Sequence, residues 1–233
     1  MSQQPPIRHF AILTFGKTGS LRYLSHLDLA RAIERAVRRA GLPVKYSEGF
    51  NPSPRIGYSS ALPVGTAGER ELAQIELEHA VPADELHRAL AEELPEDLDV
   101  IGVEVVSGPR RKHVSGHKAA DYLVELRPAP EISVEGVREA AVNLLDAGSI
   151  RLMRETKSQL KEVDIRPGLL ELSVLEPLDP DSGVRLQMSL ALEQDRLTKP
   201  SEVLEALERQ LRAGMGQDVG LDVRVATRLG LRM

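Results

Sequence analysis

Four arginines, Arg31, Arg35, Arg38 and Arg39, fall on one short stretch, "LSHLDLARAIERAVRRAGLP". Positions i, i+4 and i+7 share a face of an α-helix, so Arg31, Arg35 and Arg38 line up as a stripe with Arg39 beside it. Guanidinium groups present planar forks that take phosphate oxygens two at a time. Lys17, Arg22, Lys45 and Arg55 come from neighbouring segments and enlarge the cationic set. The plainer alternative is a solvated helix face on which Glu34 neutralises Arg38 at i+4.

His26 stands at the entrance to the same stretch, between Ser25 and Asp28. Imidazole titrates near neutrality and can act as a general base, which makes His26 the one candidate catalytic residue. A hydrogen-bonded structural histidine is the more ordinary role. Downstream, "GFNPSPRIGYSSALPVG" combines X-Pro steps, which disfavour helix, with glycines that allow a partner to approach closely. Ser25, His26 and Asp28 with Gly49, Phe50, Asn51 and Pro52 form the expected pocket or docking surface. A rigid loop covering a sheet edge is the alternative.

Other chemistries find little support. His113 and His117 are four apart, but Ser115 and Gly116 oppose a helix there and no third ligand lies near, so no metal is expected. "GKTG" at 16–19 lacks the upstream glycine of a phosphate-binding loop and reads as a turn. The chain has no cysteine, which excludes disulfides, a thiolate nucleophile and an iron–sulfur cluster held by its own thiolates. No cofactor is expected. Aromatic residues make up only 3% of the chain, too few for a large base-stacking surface.

The overall charge of -5 conceals a strong asymmetry. Residues 1–60 hold nine Lys/Arg against three acids, whereas residues 61–107 hold two against twelve. "GPRRKHVSGHK" at 108–118 has four basic residues and no acid. Only these two basic segments suit a polyanion. No apolar run approaches the length of a membrane span and "MSQQPPIRHF" lacks a signal-peptide core, so a cytoplasmic protein with no membrane association is expected.

The elements that must hold these residues follow a mixed order. "HFAILTFGK" reads as a strand. Ser25 is an N-cap with Asp28 three residues on, and Gly41 and Pro43 stop the helix. "ELAQIELEHA" is a strand, "PADELHRALAEEL" a helix entered at Pro82, and "LDVIGVEVV" a strand. With a strand drawn from "KYSEGF…RIGYSS", the order is strand, helix, strand, strand, helix, strand, the split βαβ pattern. "ADYLVELRP", "SVEGVREAAVNLLDAG", "LLELSVLEP", "VRLQMSLALE", "KPSEVLEALERQLRAG" and "LDVRVATRLGL" repeat that order, with the short extended pieces "IRLMRETKS" and "LKEVDIRP" inserted. The expected fold is α+β, two tandem ferredoxin-like (split βαβ) halves: residues 1–107 with the basic lobe, a basic linker 108–118, and an α+β half 119–233. Lys157, Lys161, Glu162, Asp164 and Arg166 form a second polar group, either an alternating-charge surface strand or a contact surface.

Lys17-Thr18-Gly19, Ser25-His26-Leu27-Asp28, the arginine helix, Ser47 to Pro52 and Leu62 to Gly65 together resemble the radical SAM-linked protein family, a bacterial domain of unknown function encoded beside or fused to radical SAM proteins. "KEVDIRP" at 161–167 is also similar to the family. Ser53 departs from it, standing where the family commonly has histidine, and no chemistry needing that histidine applies here. The resemblance implies a radical SAM partner, often of the cobalamin-binding kind, in RNA modification or processing. The leading expectation is therefore a non-catalytic RNA-binding or substrate-presenting accessory rather than an enzyme. On that reading Lys17, Arg22, Arg31, Arg35, Arg38, Arg39 and Arg55 contact phosphates. The alternatives are a metal-independent endoribonuclease using His26 and a protein docking module for the radical SAM partner.

Overall fold

The computed structural model describes residues 7–109, 113–129, 132–156, 159–176, 183–215 and 220–233. The chain is mixed α+β, with antiparallel sheets and four α-helices among the described residues. It divides into two compact units, the first ending at His117 and the second beginning at Lys118.

In the first unit β1 (Arg8–Lys17) leads to α1 (His26–Arg39), then β2 (Ile56–Tyr58), β3 (Thr66–Leu77), α2 (Ala83–Glu93) and β4 (Val100–Gly108). The sheet order is β4-β1-β3-β2, antiparallel throughout. Alternation along the strands decides the core: Ala11, Leu13 and Phe15 of β1 and Ala73, Ile75 and Leu77 of β3 all point to the helices. Leu29, Ile33 and Val37 of α1 and Leu86 and Leu90 of α2 cover them. Burying each such side chain contributes about 1.5–3 kcal/mol, which anchors α1 by its apolar stripe and leaves the opposite stripe to solvent.

The other face of this sheet is partly covered by the segment expected to be a linker. Phe10 is buried there, its ring tilted against His113 at 5.2 Å between centroids, and the His113 N–H donates to Gln74 Oε1 at 2.6 Å. Val114 is buried as well. His113 and Val114 thus pack as part of the first unit. Arg110, Arg111 and Lys112 lie outside the described residues.

The second unit runs β5 (Ala119–Leu126), α3 (Val134–Asp146), β6 (Arg151–Glu155), β7 (Leu160–Asp164), β8 (Leu169–Leu175), β9 (Arg185–Ala191), α4 (Pro200–Met215) and β10 (Val223–Arg232). Its main sheet has the order β10-β5-β9-β8, again antiparallel. The two extended pieces, β6 and β7, pair with each other as a separate hairpin. Tyr122, Val124 and Leu126 with Leu186, Met188 and Leu190 pack under Val137, Ala141 and Leu144 of α3 and Val203, Leu207 and Leu211 of α4. Among the described residues no helix is long and apolar enough to cross a membrane.

Candidate functional site

Ser25 caps α1: its Oγ accepts the Asp28 N–H at 3.2 Å and donates to Asp28 Oδ2 at 2.7 Å. This fixes the start of the helix and hence the angular position of every arginine behind it. Arg31, Arg35 and Arg38 are all exposed on the face away from Leu29, Ile33 and Val37. Arg31 pairs with Asp28 at 3.3 Å, an exposed contact that contributes little. Arg35 folds its Nε back to the Arg31 carbonyl at 3.2 Å. Arg38 donates to the Pro52 carbonyl at 3.3 Å and lies 5.4 Å from the centre of the Tyr46 ring. Among the described residues, no carboxylate pairs with Arg35 or Arg38.

The Glu34–Arg38 pair of the plainer alternative does not form among the described residues. Burial and the Glu34 charge instead push the Tyr58 phenol above its ordinary value and keep it neutral. The Tyr58 hydroxyl donates to the Ala30 carbonyl at 3.4 Å.

Three members of the predicted phosphate set also make contacts within the fold. Lys17 is 1% exposed, and its ammonium donates to the carbonyls of Arg22 at 3.2 Å and Leu24 at 3.0 Å, holding the turn that leads into α1. Arg39 pairs with Glu93 of α2 at 2.6 Å and fastens the two helices together. Arg55 sits 3.6 Å from Glu76, a buried carboxylate that also holds Arg8 at 2.7 Å. A buried carboxylate has to be compensated, and Arg8 and Arg55 do this for Glu76. Arg22 keeps to the surface, with Nη2 2.9 Å from the Tyr23 hydroxyl and its guanidinium over the Tyr23 ring.

His26 is half-buried at the first position of α1, edge-on to Tyr58 with ring centroids 5.4 Å apart. Its ring makes no hydrogen bond to a described residue. Among the described residues, no group of three His, Asp or Glu is placed to hold a metal ion.

The loop after α1 is a short, hairpin-like excursion. Tyr46 bridges Pro54, the Ser47 N–H donates to the Ser53 carbonyl at 2.8 Å, and Ser47 Oγ accepts the Ser53 N–H at 3.0 Å. Glu48, Gly49, Phe50, Asn51 and Pro52 form its exposed tip. Gly49 has φ +133°, a region open in practice to glycine alone, and it turns Phe50 fully into solvent. Through the Arg38–Pro52 contact this tip lies beside the arginine stripe.

The sequence located the stripe and the loop, Phe50 included. Tyr23 and Tyr46 are exposed in the structure, as is Phe50.

The second polar group is built for structure. Asp164 Oδ1 accepts the Ile150 N–H at 2.8 Å and the Arg166 N–H at 3.1 Å. The Arg166 guanidinium caps α3 through the Leu145 carbonyl, at 3.1 Å from Nε and 2.6 Å from Nη2, and holds the Leu169 carbonyl at 2.9 Å. Gly168 follows because a Cβ there would collide with the Arg196 carbonyl. Lys161 and Glu162 lie exposed on β7. Lys157 lies outside the described residues.

A family model described as "Uncharacterized protein conserved in bacteria (DUF2344)" matches residues 11–200, a span that includes α1, the loop and the Asp164–Arg166 turn. The chain belongs to that family. No curated protein matches it. Among solved structures it is similar to a chain in the crystal structure of a Cbf5-Nop10-Gar1 complex, with 12% identity and a TM-score of 0.50 over 95% of this chain. The match covers 48% of that chain, so this protein spans about half its length, and at this identity the likeness concerns the fold alone. A structure assigned as a glycine cleavage system transcriptional repressor matches at 10% identity with a TM-score of 0.22, over 93% of this chain and 97% of that one.

Proposed function

We propose that this protein is a non-catalytic, RNA-binding or substrate-presenting partner of a radical SAM enzyme, working in the cytoplasm. The observation that carries the RNA-binding reading is the exposed stripe of Arg31, Arg35 and Arg38. Two of these guanidiniums lack a carboxylate partner among the described residues, in a chain whose net charge is -5. Cations left unneutralised on one face of an acidic protein favour an anionic ligand there. The two strand orders, β4-β1-β3-β2 and β10-β5-β9-β8, support reading the units as tandem ferredoxin-like halves, with the stripe on the first helix of the first half. The radical SAM partner rests on the resemblance of the Ser25–Asp28 and Ser47–Pro52 motifs, and the absence of cysteine agrees with redox chemistry carried by another chain.

The test is filter binding of bacterial total RNA to the purified protein across a salt series. Phosphate contacts predict a steep fall of affinity with salt, and replacing Arg35 and Arg38 by alanine makes that dependence shallower by about 0.7 per contact on a log–log plot. Absence of binding at low salt, or an unchanged slope in the double variant, refutes the reading. Co-purification with the neighbouring radical SAM protein, followed by sequencing of bound RNA, tests the partnership.

A further inference from the structure

Resting on the RNA-binding reading above, we infer that the RNA engaged by this face is single-stranded, with unpaired bases stacked on Tyr46 and Phe50 while Arg31, Arg35 and Arg38 hold the flanking phosphates. The chain has only four tyrosines and three phenylalanines. Phe10, Phe15 and Tyr122 are buried, and Tyr58 is half-buried with its hydroxyl bonded to α1. The other three rings, Tyr23, Tyr46 and Phe50, are exposed in the first unit, and two of them lie beside arginines. A composition so poor in aromatic residues thus places two of its three exposed rings against guanidiniums.

The loop is constructed to present a ring. Its base is closed by the Ser47–Ser53 bonds and by the Arg55 N–H donating to the Lys45 carbonyl at 2.8 Å. Pro52 and Pro54 restrict the returning strand, and Arg38 ties it to α1. Phe50 at the tip is fully exposed, and Tyr46 at the base is 39% exposed. Along α1 the three arginines span about 10 Å at the rise of an α-helix.

Aromatic faces beside a cationic track match a strand whose bases are free to turn outward. An A-form duplex keeps base faces inside its stack and offers phosphates and 2′-hydroxyls, so it gives these rings nothing to cover. An acidic protein surface would satisfy the arginines but would leave the stacking rings without a role.

Fluorescence anisotropy with a labelled twelve-nucleotide single-stranded RNA and a blunt duplex of the same sequence tests this. The single strand binds at least about tenfold more tightly, and Phe50→Ala weakens it by roughly tenfold, the scale of one lost base–aromatic stack. Tyr46→Ala does the same, the salt slope of Phe50→Ala stays that of the parent protein, and duplex binding is unaffected by either change. Because Phe50 is fully exposed, its removal leaves the fold intact, which circular dichroism verifies. Equal affinity for strand and duplex, or an unchanged affinity in Phe50→Ala, overturns the inference while leaving RNA binding in place. If neither RNA binds at low salt, both readings fall.

Discussion

Replacing Arg166 by alanine should unfasten the second unit without touching the arginine stripe. Arg166 gives three charged hydrogen bonds to two carbonyls, and one of those carbonyls, Leu145, lies in the last turn of α3 where no helical N–H can reach it. Bonds from a charged donor contribute about 1.5–3 kcal/mol each in net terms. A cation at a helix C-terminus adds about 0.3–1 kcal/mol. Arg166 is half-buried, which argues for the lower end, and two carbonyls at that level give a loss of about 3 kcal/mol. With a urea m-value of about 2 kcal/mol per molar, the unfolding midpoint of this unit falls by about 1.5 M. Lysine keeps the charge but has no fork, so Arg166→Lys recovers roughly half of that loss.

The assay is urea unfolding followed by circular dichroism, with hydrogen exchange of the α3 amides to locate the effect. Tyr122, the one tyrosine of the second unit, provides a local optical probe. Faster exchange should begin in the last turn of α3. A midpoint within about 0.3 M of the parent protein would refute the reasoning, since it would mean that the bonds to Leu145 and Leu169 are matched by water in the variant.

Asp164 is held below the usual carboxylate range first by the Ile150 N–H and further by the Arg166 N–H, the Ser149 hydroxyl and the Arg151 charge, partly opposed by desolvation. Its contribution is therefore present above the unfolded value near 4 and is lost as pH falls through the lowered folded value; Asp164→Asn should flatten this acid limb, by a modest amount for so exposed a group, in thermal melts between neutral and acid pH. Arg55→Ala, which leaves Glu76 with Arg8 alone, and Arg39→Ala, which frees the part-exposed Glu93, should each lower the stability of the first unit by about 0.2–1 kcal/mol while leaving the salt slope of RNA binding unchanged; a slope that flattens as much as in Arg35→Ala would return both to the binding face. His26→Ala should cost about 0.5–1.5 kcal/mol of stability through the lost edge-on contact with Tyr58. RNA incubated in EDTA should stay intact with parent and variant alike, and cleavage that disappears in His26→Ala would establish the nuclease.

By itself the sequence determined what depends on neighbours along the chain. The Ser25 cap, the apolar spacing of Leu29, Ile33 and Val37, and the Gly41–Pro43 stop set α1 almost residue by residue, and the same period placed Arg31, Arg35 and Arg38 on its outer face. Helical geometry is local, so its consequences can be read from spacing. The order of strands and helices was legible for the same reason, whereas the pairing of β6 with β7 was not, since register depends on what two strands find across from each other.

Only the tertiary structure decided which cations remain available. Lys17 turns inward to two carbonyls, Arg39 meets Glu93, and Arg55 joins Arg8 on Glu76, all through contacts the linear sequence does not rank. It likewise turned the aromatic residues of the loop outward and made Arg166 of "KEVDIRP" a helix cap. A buried carboxylate or an open helix end has to be satisfied by whatever donor the fold brings within reach. A charge that looks free in the sequence is free in the molecule only where no such demand lies beside it.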